Sequence, residues 1–433
     1  MGEEKPIFIL GGNGPAKRDD THPDKGSMRE RVGIITTFHD SINYGGVLQA
    51  YALHTTVQNL GFECDLIRYS RSKQASTIVA VKRGLTRGVF TPEHMLRACN
   101  LLGRTLKQRV CRLFEMLVWK IYLDQKISLR KDAFSRFSTS HIHSTGPYDD
   151  ETITECIKNY DIFVCGSDQI WKPGVFTPVY ALGFVPDDRR KIAYAPSIGI
   201  AHLTDSEIES LKPLVNRLDA ISVREERGKE LLEKMTTRDV HLVLDPTLLL
   251  DYTEWKKIIR PYPMKTPYIF CYMLGKNKAN KQFVIRIAEK LGMPLVTMPF
   301  GAGDNYISLI YGDVRVYDAD PGEFLGLIQN AEYVITDSFH GSVFSILLRK
   351  KFLVLKRSDD DDRSSMNSRV YSLLGSFILE DRLVDDLLSF DPAVLADEID
   401  YESVFVSLYK QRAKSLKYLK EALMPEKGIA STR

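Results

Sequence analysis

Residues 331–348 constrain this chain more than any other stretch. Tyr333-Val334-Ile335-Thr336 is a short β-branched and aromatic run, the composition of a buried strand. Asp337 and Ser338 supply the short polar side chains that cap a helix, and Val343, Phe344, Leu347 and Leu348 recur at helical spacing. A strand passing into a helix through so short a turn is a unit of parallel α/β folds. His340 falls on that turn, at the carboxyl end of the strand. Open α/β sheets bind ligands at such ends, where exposed amides at a helix start favour an anion. Gly341 leaves room for a ligand to approach. The competing reading is that Asp337 caps the helix and His340 is an ordinary loop residue.

The same alternation recurs on both sides. Residues 32–38 read as a strand and 39–46 as a polar loop; Val47, Leu48, Tyr51, Ala52 and Val57 form a helical stripe, and residues 62–69 a second strand. Gly45 and Gly46 would let backbone amides face a ligand. Strands follow at 160–165 and 192–195, the first ending in Gly166-Ser167-Asp168-Gln169, and a helix runs from Thr204 to about Leu218. A second series starts at Ala220. Its strands are expected at 220–224, 240–244, 268–273, 294–299 and 351–355, with helices at 225–233, 278–291 and 322–329. The pattern predicts an α/β protein of two Rossmann-like domains, residues 31–218 and 219–400, facing across a cleft. An amphipathic helix within 401–433 would pack back on the first domain. Residues 80–140 interrupt the alternation: between 81 and 130 eleven lysines and arginines face only Glu93, Glu115 and Asp124, and apolar residues fall at helical spacing. This helical insertion would present either a solvated basic face or a peripheral membrane contact. Residues 1–30 read as a poorly ordered extension, because Pro15 and the charges after it break the phosphate loop that Gly11-Gly12-Asn13-Gly14 suggests.

Composition removes several function classes. A formal charge of +3 on 433 residues gives no case for nucleic acid as a partner. The six cysteines (64, 99, 111, 156, 165 and 271) form no C-x-x-C pair, which argues against zinc and a disulfide framework and for a reducing cytosol. The acidic start lacks a secretory signal, and every long apolar run is broken by Lys or Arg. A cytoplasmic protein is the expectation, with a peripheral position at the inner membrane surface as the alternative, and with no required metal or cofactor.

Five segments occur in one order: Asn43-Tyr44-Gly45-Gly46, Val164-Cys165-Gly166-Ser167-Asp168-Gln169-Ile170-Trp171, Ile221-Ser222-Val223-Arg224-Glu225, Leu244-Asp245-Pro246-Thr247 and Ile335-Thr336-Asp337-Ser338-Phe339-His340-Gly341. Together they resemble the polysaccharide pyruvyl transferase family over roughly residues 32 to 360. The resemblance implies a glycosyltransferase-B-like pair of domains and transfer of a pyruvyl group from phosphoenolpyruvate to sugar hydroxyls of a cell-surface glycan or exopolysaccharide, closing a cyclic ketal. The acceptor would be a glycan or a lipid-linked oligosaccharide. Many members carry arginine two residues before the histidine, where this chain has Ser338.

The chemistry needs cations or helix-end amides for phosphate and carboxylate, an acid for the methylene carbon, and a base for the hydroxyls. His340 suits the acid, with Asp337 orienting it. Arg224, at a strand end, offers a bidentate fork for an anion, or else pairs with neighbouring acids. Asn43, Tyr44, Gly45, Gly46, Ser167, Asp168, Gln169, Ser338 and Gly341 complete the expected substrate-binding set. In place of the missing arginine, charge would come from Arg224 with Arg349, Lys350 or Lys351. The same fold also suits a glycosyltransferase with a nucleotide-sugar donor, or a non-catalytic sugar-phosphate-binding protein.

Overall fold

The computed structural model describes residues 30–71, 125–275, 277–299, 311–360 and 365–424. The extension expected at 1–30 lies almost wholly outside these residues. So does most of the basic insertion, of which a helix at 125–141 is described.

Strands β1 (Arg31–Ile35), β2 (Glu63–Tyr69), β3 (Ser144–Tyr148), β4 (Ile162–Cys165), β5 (Arg190–Ala193), β6 (Ala220–Val223) and β7 (Val240–Leu242) form one parallel sheet, ordered β3-β2-β1-β4-β5-β6-β7. Strands β8 (Ile269–Tyr272), β9 (Leu295–Thr297), β10 (Val314–Arg315), β11 (Tyr333–Thr336), β12 (Lys351–Leu355) and β13 (Leu383–Val384) form a second, ordered β10-β9-β8-β11-β12-β13. All described pairings are parallel, with β1 flanked by β2 and β4, and β11 by β8 and β12. Strands β4, β8 and β12 are buried along nearly their whole length, which is why their sequences read as unbroken apolar runs rather than alternation. Each sheet reverses strand order once, between β1 and β4 and between β8 and β11, and these are the points where such folds open a ligand crevice.

The boundary expected at 218/219 needs correction. β6 pairs with β5 through Ile192–Ala220 and Ala193–Ile221, and β7 pairs with β6, so the chain from Ala220 to Leu242 finishes the first sheet. A run of strands and helices has the same pattern whether it extends one sheet or starts another, so the patterning could not locate the crossing. The second sheet begins at Ile269, after a segment that includes the helix Tyr252–Lys256.

Two helices meet between the sheets. Tyr44–Asn59 follows β1 and is buried on nearly every side; Phe339–Leu347 follows β11 and is buried at every residue. A helix apolar all round belongs inside a molecule. One core runs through both domains, joining Val47, Leu48 and Leu53 to Phe270, Phe324 and Phe344. Tyr44 stacks on Phe324 at 4.5 Å, and its hydroxyl donates to Ala319 O at 2.6 Å. Trp255 meets Phe344 edge-on at 4.9 Å; aromatic pairs of this kind add about 0.5–1.5 kcal/mol beyond burial. Arg130, on the 125–141 helix, donates to Pro299 O, Val316 O and Tyr317 O in the second domain.

The helix Tyr401–Leu423 touches both domains. Tyr401 donates to Lys350 O, and Ser407 and Gln411 to Ser376 O. Further along, Arg412 donates to Leu248 O and Leu250 O, Ser415 accepts from Leu244 N, and Arg190 donates to Ala422 O.

Candidate active site

Both crevice loops contribute to one cluster. After β1, Asn43 caps the 44–59 helix by accepting from Gly46 N, and Gly45 lies against the ring of His340. A Cβ on Gly45 would come within 2.0 Å of His340 Nδ1. After β11, Ser338 caps the facing helix by accepting from Gly341 N at 3.3 Å. His340 sits in that helix's first turn, buried. Its Nε2 has no hydrogen-bond partner among the described residues and stands 3.7 Å from Asp245 Oδ2. Such an orphaned nitrogen is costly unless a ligand or water completes it.

Asp245 is the hub. Its Oδ1 accepts from Thr247 N and Oγ, while Oδ2 meets Arg224 at 2.5 Å and Ser167 Oγ at 3.3 Å. Burial alone would raise this carboxyl; His340, Arg224 and the Thr247 hydroxyl outweigh it and hold Asp245 ionised. Arg224 is enclosed by acids: Asp245, Asp168 at 3.3 Å and Glu225 at 3.6 Å, with its side chain 1% exposed. Glu225 in turn accepts from Ser197 Oγ, Ile198 N and Gly199 N.

Set against the expected residues, Asn43, Gly45, Gly46, Ser167, Asp168, Gln169, Arg224, Ser338, Gly341 and His340 all lie around this cluster, but several act differently from the expectation. Asp337 does not orient His340: its two oxygens accept from Leu274 N and Gly275 N, both at 2.7 Å, and Arg357 stands 3.6 Å away. Asp245 is the carboxylate beside the histidine. The Arg224 guanidinium follows the competing reading, paired with acids rather than turned to an open anion site. Gly341 serves close packing, since a Cβ there would lie 2.4 Å from Thr336 Oγ1. Tyr44 is a contact between domains. Arg349, Lys350 and Lys351 stand at the start of β12, at the opposite sheet end from His340, engaged with Glu402, Gln329 O and Glu398.

Three other cations gather at the cluster. Arg369, buried on the helix Asn367–Phe377, lies 5.8 Å from the Phe339 ring, on which Arg224 also rests at 4.6 Å. Burial, with the charges of Arg224 and Arg357, pushes Arg369 down to about 9. Burial, with the charges of Arg369 and Arg357, lowers Lys172. Arg357 donates to Asp337 O at 2.9 Å, and the Nε atoms of Arg357 and Arg369 have no partner among the described residues. With its amide turned, Gln169 accepts from Arg369. Cations held together against mutual repulsion are a setting for an anion. Arg357 and Arg369 had no local pattern to mark them: one follows β12, and the other lies on a helix the periodicity did not show. Asp245 had one, the acid–proline turn closing a strand. A cleft of about 330 Å³ opens onto Arg224, Asp245, Phe339 and Arg369, with Ser372, Gln411 and Lys414 on its outer wall.

Fold and site together define a two-domain α/β protein of glycosyltransferase-B-like architecture, whose facing Rossmann-like sheets build one site from both crevice loops. The family model for polysaccharide pyruvyl transferases matches residues 43–359, and the chain belongs to that family. No curated protein sequence matches it. Among solved structures it is similar to the UDP-GlcNAc 2-epimerase from Neisseria meningitidis (11% identity, TM-score 0.43, covering 91% of this chain and 97% of that one). It is also similar to the glycosyltransferase SnogD from Streptomyces nogalater (12%, 0.38, 91% and 98%) and the UDP-GlcNAc 2-epimerase from Methanocaldococcus jannaschii (10%, 0.40, 88% and 94%). The architecture rests on the chain's own two parallel sheets. Among the described residues, no helix is long and apolar enough to cross a membrane, and no group of three His, Cys, Asp or Glu side chains is placed to hold a metal ion.

Proposed function

We propose that this family member transfers the pyruvyl group of phosphoenolpyruvate to two hydroxyls of a glycan, with His340 as the general acid. The observation that carries the reading is His340 itself: its ring is buried against Gly45, and its Nε2, without a hydrogen-bond partner among the described residues, is set beside ionised Asp245. That carboxylate stands 3.7 Å from Nε2, close enough to orient the ring that would hand over the proton. The donor's phosphate and carboxylate would be held by Arg369, Arg357 and Lys172, which supply the charge that Ser338 does not. Arg224 acts one step away, fixing Asp245 and Asp168.

His340 delivers a proton to the methylene carbon, forming a C–H bond and leaving an oxocarbenium at the adjacent carbon. A glycan hydroxyl attacks that carbon and loses its proton, which restores the imidazolium. The bond from that carbon to the phosphate oxygen then breaks, and phosphate leaves with the electron pair. The second hydroxyl closes the ketal, and its proton goes to the departing phosphate.

Calorimetry tests the reading directly. Phosphoenolpyruvate should bind, and Arg369→Ala should weaken it by about tenfold or more, the worth of a charge-assisted contact. His340→Gln should bind it normally while ketal formation falls about 10²–10⁴-fold. Binding of a UDP-sugar with no heat from phosphoenolpyruvate would replace this reading with a nucleotide-sugar transferase.

A further inference from the structure

The inner side of the helix Tyr401–Leu423 is fully accounted for by Val404, Phe405, Leu408, Leu419 and Leu423, all buried. Its outer side is not an ordinary solvated face. Val406 is 70% exposed, Tyr409 56% and Met424, just past the helix end, 51%. At 100° per residue these three project within about 60° of one another, and Ala413 falls between them. Interleaved with them are Lys410, Lys414, Lys417 and Lys420, all exposed. The acids here are already engaged, Glu402 by Arg349 at 2.9 Å and Glu421 by Lys417 at 3.7 Å. Among the described residues no carboxylate lies within ion-pair distance of Lys410, Lys414 or Lys420.

The patch continues beyond the helix. Ile378, 86% exposed, follows the 367–377 helix, whose Ser376 carbonyl is held by Ser407 and Gln411. Leu242, 43% exposed, lines the same cleft as Lys414. Exposed aliphatic and aromatic side chains among exposed lysines fit an anionic membrane surface, where lysine stems and apolar groups enter the headgroup layer while ammonium groups meet phosphates. A solvated surface gains nothing from exposed Val406, Ile378 and Met424 side by side with lysines.

We propose that the outer face of the helix Tyr401–Leu423, with Ile378 beside it, docks on an anionic lipid bilayer and sets the mouth of the interdomain cleft at the membrane surface. Gln411, Lys414 and Ser415 of this helix line the cleft that reaches Arg224 and Asp245, so docking brings that cleft to a glycan carried on a lipid. Most of this surface lies beyond residue 359, where the family match ends. The docking rests on the proposed function only in taking a glycan as acceptor. Vesicle binding needs neither donor nor acceptor, so failure of either leaves the other standing.

The test is flotation of the full chain with phosphatidylcholine vesicles, with and without phosphatidylglycerol. Binding should require the anionic lipid, fall steeply with salt and resist inorganic phosphate, which separates a bilayer from simple phosphate capture. The triple variant Lys410→Glu, Lys417→Glu, Lys420→Glu should bind roughly a hundredfold more weakly, since each basic residue near such a surface contributes about fivefold. Its turnover on a soluble acceptor should be unchanged. Val406→Ser and Ile378→Ser, which touch no ion pair, should weaken binding several-fold and serve if the triple variant fails to fold. No binding at low salt, displacement by phosphate, or undiminished binding by the charge-reversed chain would overturn the docking; the last would place any membrane contact elsewhere in the chain.

Discussion

The two crevice loops have the same topological position and opposite character. Toward the cluster the loop after β1 turns mainly backbone, with Gly45 and Gly46 at the helix start and Asn43 occupied in capping it. The loop after β11 presents side chains: Asp337, Ser338, Phe339 and His340. One domain supplies a surface and the other the group that rests on it. His340 is thereby fixed by contacts from outside its own domain, namely Gly45 and Asp245, while its own loop serves mainly to cap a helix and tie β8 to β11. Reactive geometry in such a protein depends on the seam between domains as much as on either fold.

Adding one methyl group to each loop breaks the comparison most sharply. Gly45→Ala must displace the His340 ring, so ketal formation should fall about 10²–10⁴-fold, as for loss of the acid itself, with a small change in melting temperature. Gly341→Ala meets Thr336 Oγ1, whose hydroxyl donates to Tyr272 O, and should cost about 1–3 kcal/mol of stability without moving the ring off Gly45. Equal kinetic losses in the two variants would erase the distinction.

The next contrast is between carboxylates. Asp245→Asn removes a charge facing Arg224 and His340, and breaking a buried pair of this kind costs about 3–5 kcal/mol. Ketal formation should fall as well, since the ring of His340 loses the carboxylate beside it. Asp337→Asn should lower thermal stability through the Leu274 and Gly275 amides and leave ketal formation largely in place.

A third contrast concerns acid. His54, in the first domain's core, has neither ring nitrogen bonded among the described residues; burial, with His143 adding to it, lowers it to about 4. Between about pH 6.5 and 4 the unfolded chain therefore binds more protons than the folded one, and stability falls as pH drops through that window, by up to about 3 kcal/mol. His54→Leu should flatten the melting temperature over that range. The smallest effect belongs to Tyr44→Phe, which removes the bond to Ala319 O while keeping the stack on Phe324: about 1 kcal/mol, read by denaturant unfolding.

Most of the strands could be read from the sequence because a buried parallel strand leaves an unbroken apolar run, as at residues 162–165 and 333–336. The place where the chain crosses between sheets could not, because β6 and β7 carry the same pattern as the strands of the second sheet. In the site, His340 and its glycines were legible through their position at a strand end. The partners were not: Asp245 reaches the histidine, and Arg369 reaches Phe339, only after distant elements pack. The acids around Arg224 show the limit most clearly. Its sequence neighbours supplied Glu225, but Asp168 and Asp245, which also pair with it, come from the loops after β4 and β7, 56 and 21 positions away.

The helix Tyr401–Leu423, pinned to both domains, also bears on how the chain is made. The first sheet is complete once Leu242 has emerged, yet Leu244, Leu248 and the Arg190 edge stay uncovered until Ser415, Arg412 and Ala422 arrive. At ordinary synthesis rates of about 5–20 residues per second, that interval is of order ten to forty seconds. During it the nascent first domain exposes an apolar seam on the ribosome, and the domain synthesised first is among the last to be finished.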